Sequence, residues 1–123
     1  MTPHLILHTR TTPSGAVVEL VGDLDHRTAP EVRAALPGVD LRQGQQLTLD
    51  LGGLGLCDSS GITALIAARN HALAAEARLA LAAVPDRVSR IFRMVGLEQV
   101  FPAYPTARAA EAAWRLTGSP SRD

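Results

Sequence analysis

The sequence predicts an α/β domain with a mixed, mostly parallel sheet of four to five strands and about four helices. Strand-like and helix-like stretches alternate along 123 residues, a length that builds one domain with its own core. The apolar residues are mostly Ala, Leu and Val, with two Phe, one Tyr and one Trp. Such small aliphatic side chains suit thin layers of helix on sheet better than an aromatic-lined cavity. The one short link between consecutive strands lies near the N-terminus, so the first strand is the exception in a sheet otherwise built by right-handed crossovers.

His4 to Arg10 reads as the first strand, with Leu5 and Leu7 on one face and His4, Ile6 and His8 on the other. Thr11-Thr12-Pro13-Ser14-Gly15 is a turn cluster, and Ala16 to Val21 forms the second strand of a hairpin. Gly22 is expected to break that strand. Thr28-Ala29-Pro30-Glu31 then starts a helix, with the Thr28 hydroxyl and the Glu31 carboxylate read as a reciprocal capping pair. Pro30 sits where a missing N–H does little harm, and the helix should end near Leu36.

After a polar linker from Leu41 to Gln46, Leu47-Thr48-Leu49-Asp50-Leu51 alternates as a strand. Gly52-Gly53-Leu54-Gly55-Leu56 is too glycine-rich to be expected to continue it. Ile62 to about Ala75 reads as a helix with Ile62, Leu65, Ile66 and Leu73 on one side. Leu79 to Ala83 is a fully apolar, doubly buried strand. Pro85 opens a third helix with Val88, Ile91, Phe92 and Val95 as its stripe and Gly96 as its cap. Val100-Phe101 is expected to add a short extended piece. Ala107 to Leu116 forms the last helix, facing Ala110, Ala113 and Trp114 inward, and residues 117–123 read as a disordered tail.

Composition excludes several functions. The formal net charge is zero, all twelve basic residues are Arg, and the charges are scattered. No polybasic stripe offers a surface to nucleic acid or to an anionic membrane, so the expected partner is a protein or a small ligand. Cys57 is the single cysteine, so no internal disulfide or zinc spacing exists. No run of about 18 apolar residues suggests a membrane span. Met1-Thr2-Pro3-His4 lacks the basic and apolar regions of a signal peptide, and a cytoplasmic location is expected.

The stretch from Leu47 to Arg69 carries the chemistry. A strand ends, a glycine-containing loop follows, and Asp58-Ser59-Ser60-Gly61 opens a helix. In open α/β sheets the loops leaving the carboxyl ends of strands are where ligands and partners bind. One reading is a helix cap, because Asp and Ser side chains satisfy free N–H groups there. The other is an exposed serine hydroxyl available to a kinase. Its phosphate would face the positive end of the helix dipole, so the helix should tolerate it, and the added charge would act on whatever docks.

Enzyme readings lack parts, and no catalytic residue is assigned. Cys57 stands where a Gly-x-Ser-x-Gly elbow around Ser59 needs its first glycine. A chain without Lys has no phosphate-loop lysine. His4 and His8 lie about 13 Å apart at strand rise, so neither they nor His71 suggests a metal, and each is read as a surface histidine. Cys57 is read as a buried small hydrophobe, between a reactive-thiol alternative and two neighbouring leucines. The arginines of the third helix are read as a solvated face.

Three segments in order resemble one family. They are Gly22-Asp23-Leu24-Asp25-His26-Arg27-Thr28-Ala29; Leu49-Asp50-Leu51 through Leu56-Cys57-Asp58-Ser59-Ser60-Gly61; and Val88-Ser89-Arg90-Ile91-Phe92 with Val95-Gly96-Leu97 and Phe101. Together they are similar to the STAS domain of bacterial anti-sigma factor antagonists, which implies a single STAS domain over residues 1–116. The resemblance further implies a non-enzymatic protein that binds an anti-sigma factor, a serine kinase of the GHKL type, and so releases a sigma factor. The kinase would phosphorylate Ser59, and a metal-dependent serine phosphatase would restore the active form. Asp25, His26, Asp58, Ser59, Ser60 and Gly61 are carried over as the partner-binding surface, with no cofactor, no metal, and a monomer or weak dimer expected. The loop before the motif is richer in glycine than the family pattern.

Two other readings stay open. A STAS scaffold in a stress-sensing or other signalling assembly would leave Ser59 as a cap or an assembly contact. A nucleotide-binding domain would use the glycine-containing loop at a helix N-terminus.

Overall fold

The computed structural model describes residues 4–117. Strands β1 (Leu5–Thr12) and β2 (Gly15–Leu24) form the hairpin; helix α1 (Ala29–Ala35) follows and ends in a 3₁₀ turn, Leu36–Gly38. Then come β3 (Gln46–Cys57), α2 (Ser59–Ala74), β4 (Arg78–Ala82), α3 (Asp86–Val95), β5 (Ala103–Tyr104) and α4 (Ala107–Thr117). The sheet order is β1-β2-β3-β4-β5; β1 is antiparallel to β2 and every later pair is parallel. Each crossover thus steps the same way along the sheet, and right-handed crossovers in one direction put their helices on one face. Val32 of α1, Leu65 of α2 and Val88 and Phe92 of α3 accordingly share one core with Val18, Leu20, Leu47, Leu49, Leu51, Leu79 and Leu81. The α/β, mostly parallel architecture expected from the sequence is the one found.

Helix α4 lies on the other face, where Ala107 packs on Val17 and Ala82. Buried Gln46 ties it down: its side-chain amide donates to the Thr48 hydroxyl at 3.2 Å and to the Ala110 carbonyl at 3.1 Å, and it accepts from Arg78 Nε at 3.2 Å. Trp114 Nε1 donates to the Gly44 carbonyl at 2.8 Å. Trp114→Phe keeps the ring and removes this bond, so it is expected to lower stability by about 1 kcal/mol in urea unfolding.

Several expectations are corrected. Gly22 does not end β2. It sits at φ +121° between two register irregularities in the β2–β3 ladder, and a Cβ there would run into the His4 carbonyl oxygen. It is a bulge residue, and the strand resumes to Leu24. Residues Gly52 to Leu56 also remain strand, because the extended β2 pairs with them as far as Leu24 opposite Cys57. Leu73 and Val95, expected inside, are 48% and 58% exposed. The inward face of α2 keeps the expected Ile62 and Leu65 and adds Ala64, Ala68 and Ala72, whose small side chains let the helix approach the sheet closely. Val100-Phe101 is not the extended piece. Phe101 is buried with its ring 5.4 Å from that of Phe92, and β5 follows at Ala103–Tyr104. His71 is half-buried, with Nε2 3.0 Å from the Val39 carbonyl. Thr117 is still helical; the tail expected beyond it lies outside the described residues.

Candidate functional site

The Asp58-Ser59-Ser60-Gly61 stretch lies at the carboxyl end of β3. Asp58 is the N-cap of α2: its Oδ1 accepts from the Gly61 amide at 3.1 Å, and its carbonyl accepts from the Ile62 amide at 3.0 Å. The capping reading is therefore correct for Asp58. The helix starts three residues earlier than the apolar pattern suggested, so Ser59 is its first residue. Ser59 is exposed, and its carbonyl accepts from the Thr63 hydroxyl at 3.0 Å. Ser60 is half-buried and Gly61 buried.

Gly61 is buried for a steric reason. A Cβ there would stand 2.6 Å from the Leu24 carbonyl oxygen and 2.8 Å from Cys57 Sγ. The start of α2 thus presses onto the ends of β2 and β3. The Asp58 amide donates to the same Leu24 carbonyl at 3.2 Å. These contacts hold the loop after β2 beside the start of α2.

Within that loop Asp25 and His26 take different positions. His26 is exposed and lines a shallow depression with Ala29, Arg33, Ser60 and Thr63. Asp25 is only 4% exposed. Its Oδ2 accepts from Arg27 NH2 at 2.7 Å and Arg27 Nε at 3.1 Å, and its Oδ1 from the Arg27 amide at 2.9 Å. Buried Thr28 knots the same loop, donating to the Asp23 carbonyl at 2.8 Å and accepting from the Asp25 amide at 3.0 Å. That use of its hydroxyl replaces the capping pair expected with Glu31, which makes no side-chain cap bond. The guanidinium of Arg27 reaches on toward the His4 ring and the Asp23 carboxylate, 3.7 Å away. Arg27 and Thr28 thus join the site beyond the residues the sequence predicts, and opposite charges two apart in a short loop are the sequence signal for the Asp25–Arg27 pair.

Electrostatics follow the geometry. The Arg27 side-chain hydrogen bonds hold Asp25 at a pKa of about 2 against the desolvation of burial, helped by the amides of Arg27 and Thr28. A carboxyl held below its ordinary 3.8 contributes stability that is present above that value and lost as pH falls through about 2. Asp25→Asn is therefore expected to flatten the fall in the urea midpoint over that window. An unchanged slope would mean that the Arg27 bonds do not form in solution. Burial, and then the neighbouring Asp58 carboxylate, push the Cys57 thiol up to about 11, so it stays protonated and packs as a small hydrophobe.

On the far side of the motif Leu56 is 47% exposed, above a groove shared with Leu54, Arg87, Val88 and Ile91. Among the described residues no group of three or more His, Cys, Asp or Glu is placed to hold a metal ion, and no helix is long and apolar enough to cross a membrane.

Residues 7–102 match the family described as Mlab, STAS domain. The chain belongs to the STAS domain family. It is 30% identical over 81 residues to the anti-sigma-B factor antagonist of Listeria monocytogenes, covering 66% of this chain and 71% of that one. The anti-sigma F factor antagonist of Paenibacillus polymyxa is 30% identical over 89 residues, 72% of this chain and 76% of the relative. Among solved structures, an anti-sigma factor antagonist from Mycobacterium paratuberculosis superposes with a TM-score of 0.77 at 27% identity, over 90% of this chain and 94% of its own. A solved structure named as an anti-sigma factor antagonist thus shares the fold of this chain.

Proposed function

We propose that this STAS protein is an anti-sigma factor antagonist switched off by phosphorylation of Ser59. The observation that carries the reading is an exposed hydroxyl on the first residue of α2, beside a capping carboxylate and an ordered neighbouring loop. In this reading His26, Asp58, Ser59 and Ser60 form the surface that meets the partner. Asp25 and Gly61 are buried and act from beneath, by fixing the loop and the helix start.

The partner is an anti-sigma factor that is also a serine kinase of the GHKL type, and its capture frees a sigma factor in the cytoplasm. Transfer of the ATP γ-phosphoryl group to Ser59 Oγ displaces ADP and leaves a dianion at the helix start. The helix dipole favours that charge, so the fold survives while the interface is lost. A metal-dependent serine phosphatase hydrolyses the ester and resets the protein. The protein itself acts as substrate and ligand, without catalysis or cofactor.

A competition assay tests this. The unphosphorylated protein should displace a sigma factor from a serine-kinase anti-sigma factor of the same organism, in proportion to its concentration. Binding to none of these anti-sigma factors would count against the reading.

A further inference from the structure

On the sheet face that carries α4, one flank is left open. Arg10 pairs with Val17 across the β1–β2 ladder, and Val17 packs against Ala107. Directly opposed residues share a face, so the Arg10 side chain rises beside the first turn of α4. Arg108 and Arg115 stand two turns apart on that helix, with Glu111 and Ala112 between them on the same stripe. Together with Ala107 and Leu116 they line one open groove of about 670 Å³.

The charges in this groove do not balance. Among the described residues three guanidinium groups line it with one carboxylate, and Glu111 is already paired with Arg115 at 3.3 Å. Among the described residues neither Arg10 nor Arg108 has an ion-pair partner within 4.0 Å. Glu19, on the next same-face pair of the ladder opposite His8, lies beyond that distance. A chain of formal net charge zero thus gathers, among the described residues, an excess of positive charge in this groove.

We propose that this groove binds a small phosphate-bearing anion. Guanidinium forks match phosphate oxygens two at a time. Arg10 and Arg108 come from different elements, so each can take its own pair of oxygens. A phosphomonoester has three terminal oxygens to share between two forks, where a carboxylate has two. Arg115, held by Glu111, marks the far end, and Ala112 with Leu116 offers an apolar wall to a short aliphatic body. The groove lies across the sheet from α2, so the proposal does not depend on the role of Ser59.

Arginine Nε–Hε NMR signals of the full chain test it, titrated with glycerol 3-phosphate and with inorganic phosphate. Saturable shifts are expected at Arg10 and Arg108, smaller at Arg115. Arg10→Gln with Arg108→Gln should weaken binding by at least about tenfold, while Arg87→Gln with Arg90→Gln on α3 should leave it unchanged. Co-sedimentation with phosphatidylcholine vesicles, with and without phosphatidic acid, separates the two sources of the phosphate. Capture by phosphatidic acid that the groove variant abolishes assigns a lipid headgroup; glycerol 3-phosphate binding without such capture assigns a free phosphomonoester. Shifts that do not saturate, or that spread equally over Arg87 and Arg90, overturn the proposal. The wild-type shift map alone decides this, whether or not a variant folds.

Discussion

Replacing Gly61 by valine is expected to destabilise the fold by about 3 kcal/mol, at the upper end of ordinary overpacking. Two effects oppose each other. Gly61 lies in the first turn of α2, and a side chain there gains a few tenths of a kcal/mol of helix propensity, since glycine is the poorer helix former. Against this, the new Cβ would stand 2.6 Å from the Leu24 carbonyl oxygen and 3.0 Å from Leu24 Cγ. The nearest obstacle is backbone, which no rotamer change removes. The helix start must lift, straining the Asp58 to Leu24 bond with it. Urea unfolding should show a lower midpoint at an unchanged m-value. An unchanged midpoint would mean that α2 does not press on β2 this closely.

Placing phosphoserine at position 59 is expected to weaken binding to the anti-sigma factor by roughly 100- to 4000-fold, since an unpaired charge in a desolvated interface costs about 3–5 kcal/mol. Phosphate brings about −1.5 to −2 charges and added bulk. Ser59→Asp, with one charge, should weaken binding less, and Ser59→Ala should bind about as well as the wild type. Calorimetry on the three proteins reads these affinities. Circular dichroism should find all three equally folded, because Ser59 is exposed and Asp58 supplies the cap. Equal affinity of the phosphorylated and unphosphorylated forms would contradict the switch.

The alternation of strand and helix, and the Asp-Ser-Ser-Gly stretch before an apolar helix, were legible in the sequence because each depends on local pattern and cap chemistry. What was not legible depends on neighbours. Gly22 and Gly52 to Gly55 read as breakers, yet both lie within strands, because each segment completes the other's ladder. No local rule announces that a bulge will be paired. On α2 the expected Ile62 and Leu65 are buried, but Leu73 is exposed and Ala64, Ala68 and Ala72 complete the inward face, because bulk alone does not signal burial where a close helix–sheet approach selects alanine. Asp25 and His26 look alike as polar loop neighbours. Only the fold separates them, turning Asp25 under Arg27 and leaving His26 outside.

The most direct test of the Ser59 switch is intact-mass and fragment-ion spectrometry after incubation with a serine-kinase anti-sigma factor of the same organism and ATP. A single phosphate that maps to Ser59, and that is absent from Ser59→Ala, is the result predicted. Stable binding to that kinase without any phosphate transfer, or transfer that persists in Ser59→Ala, would contradict it and leave Ser59 as the first residue of a capped helix.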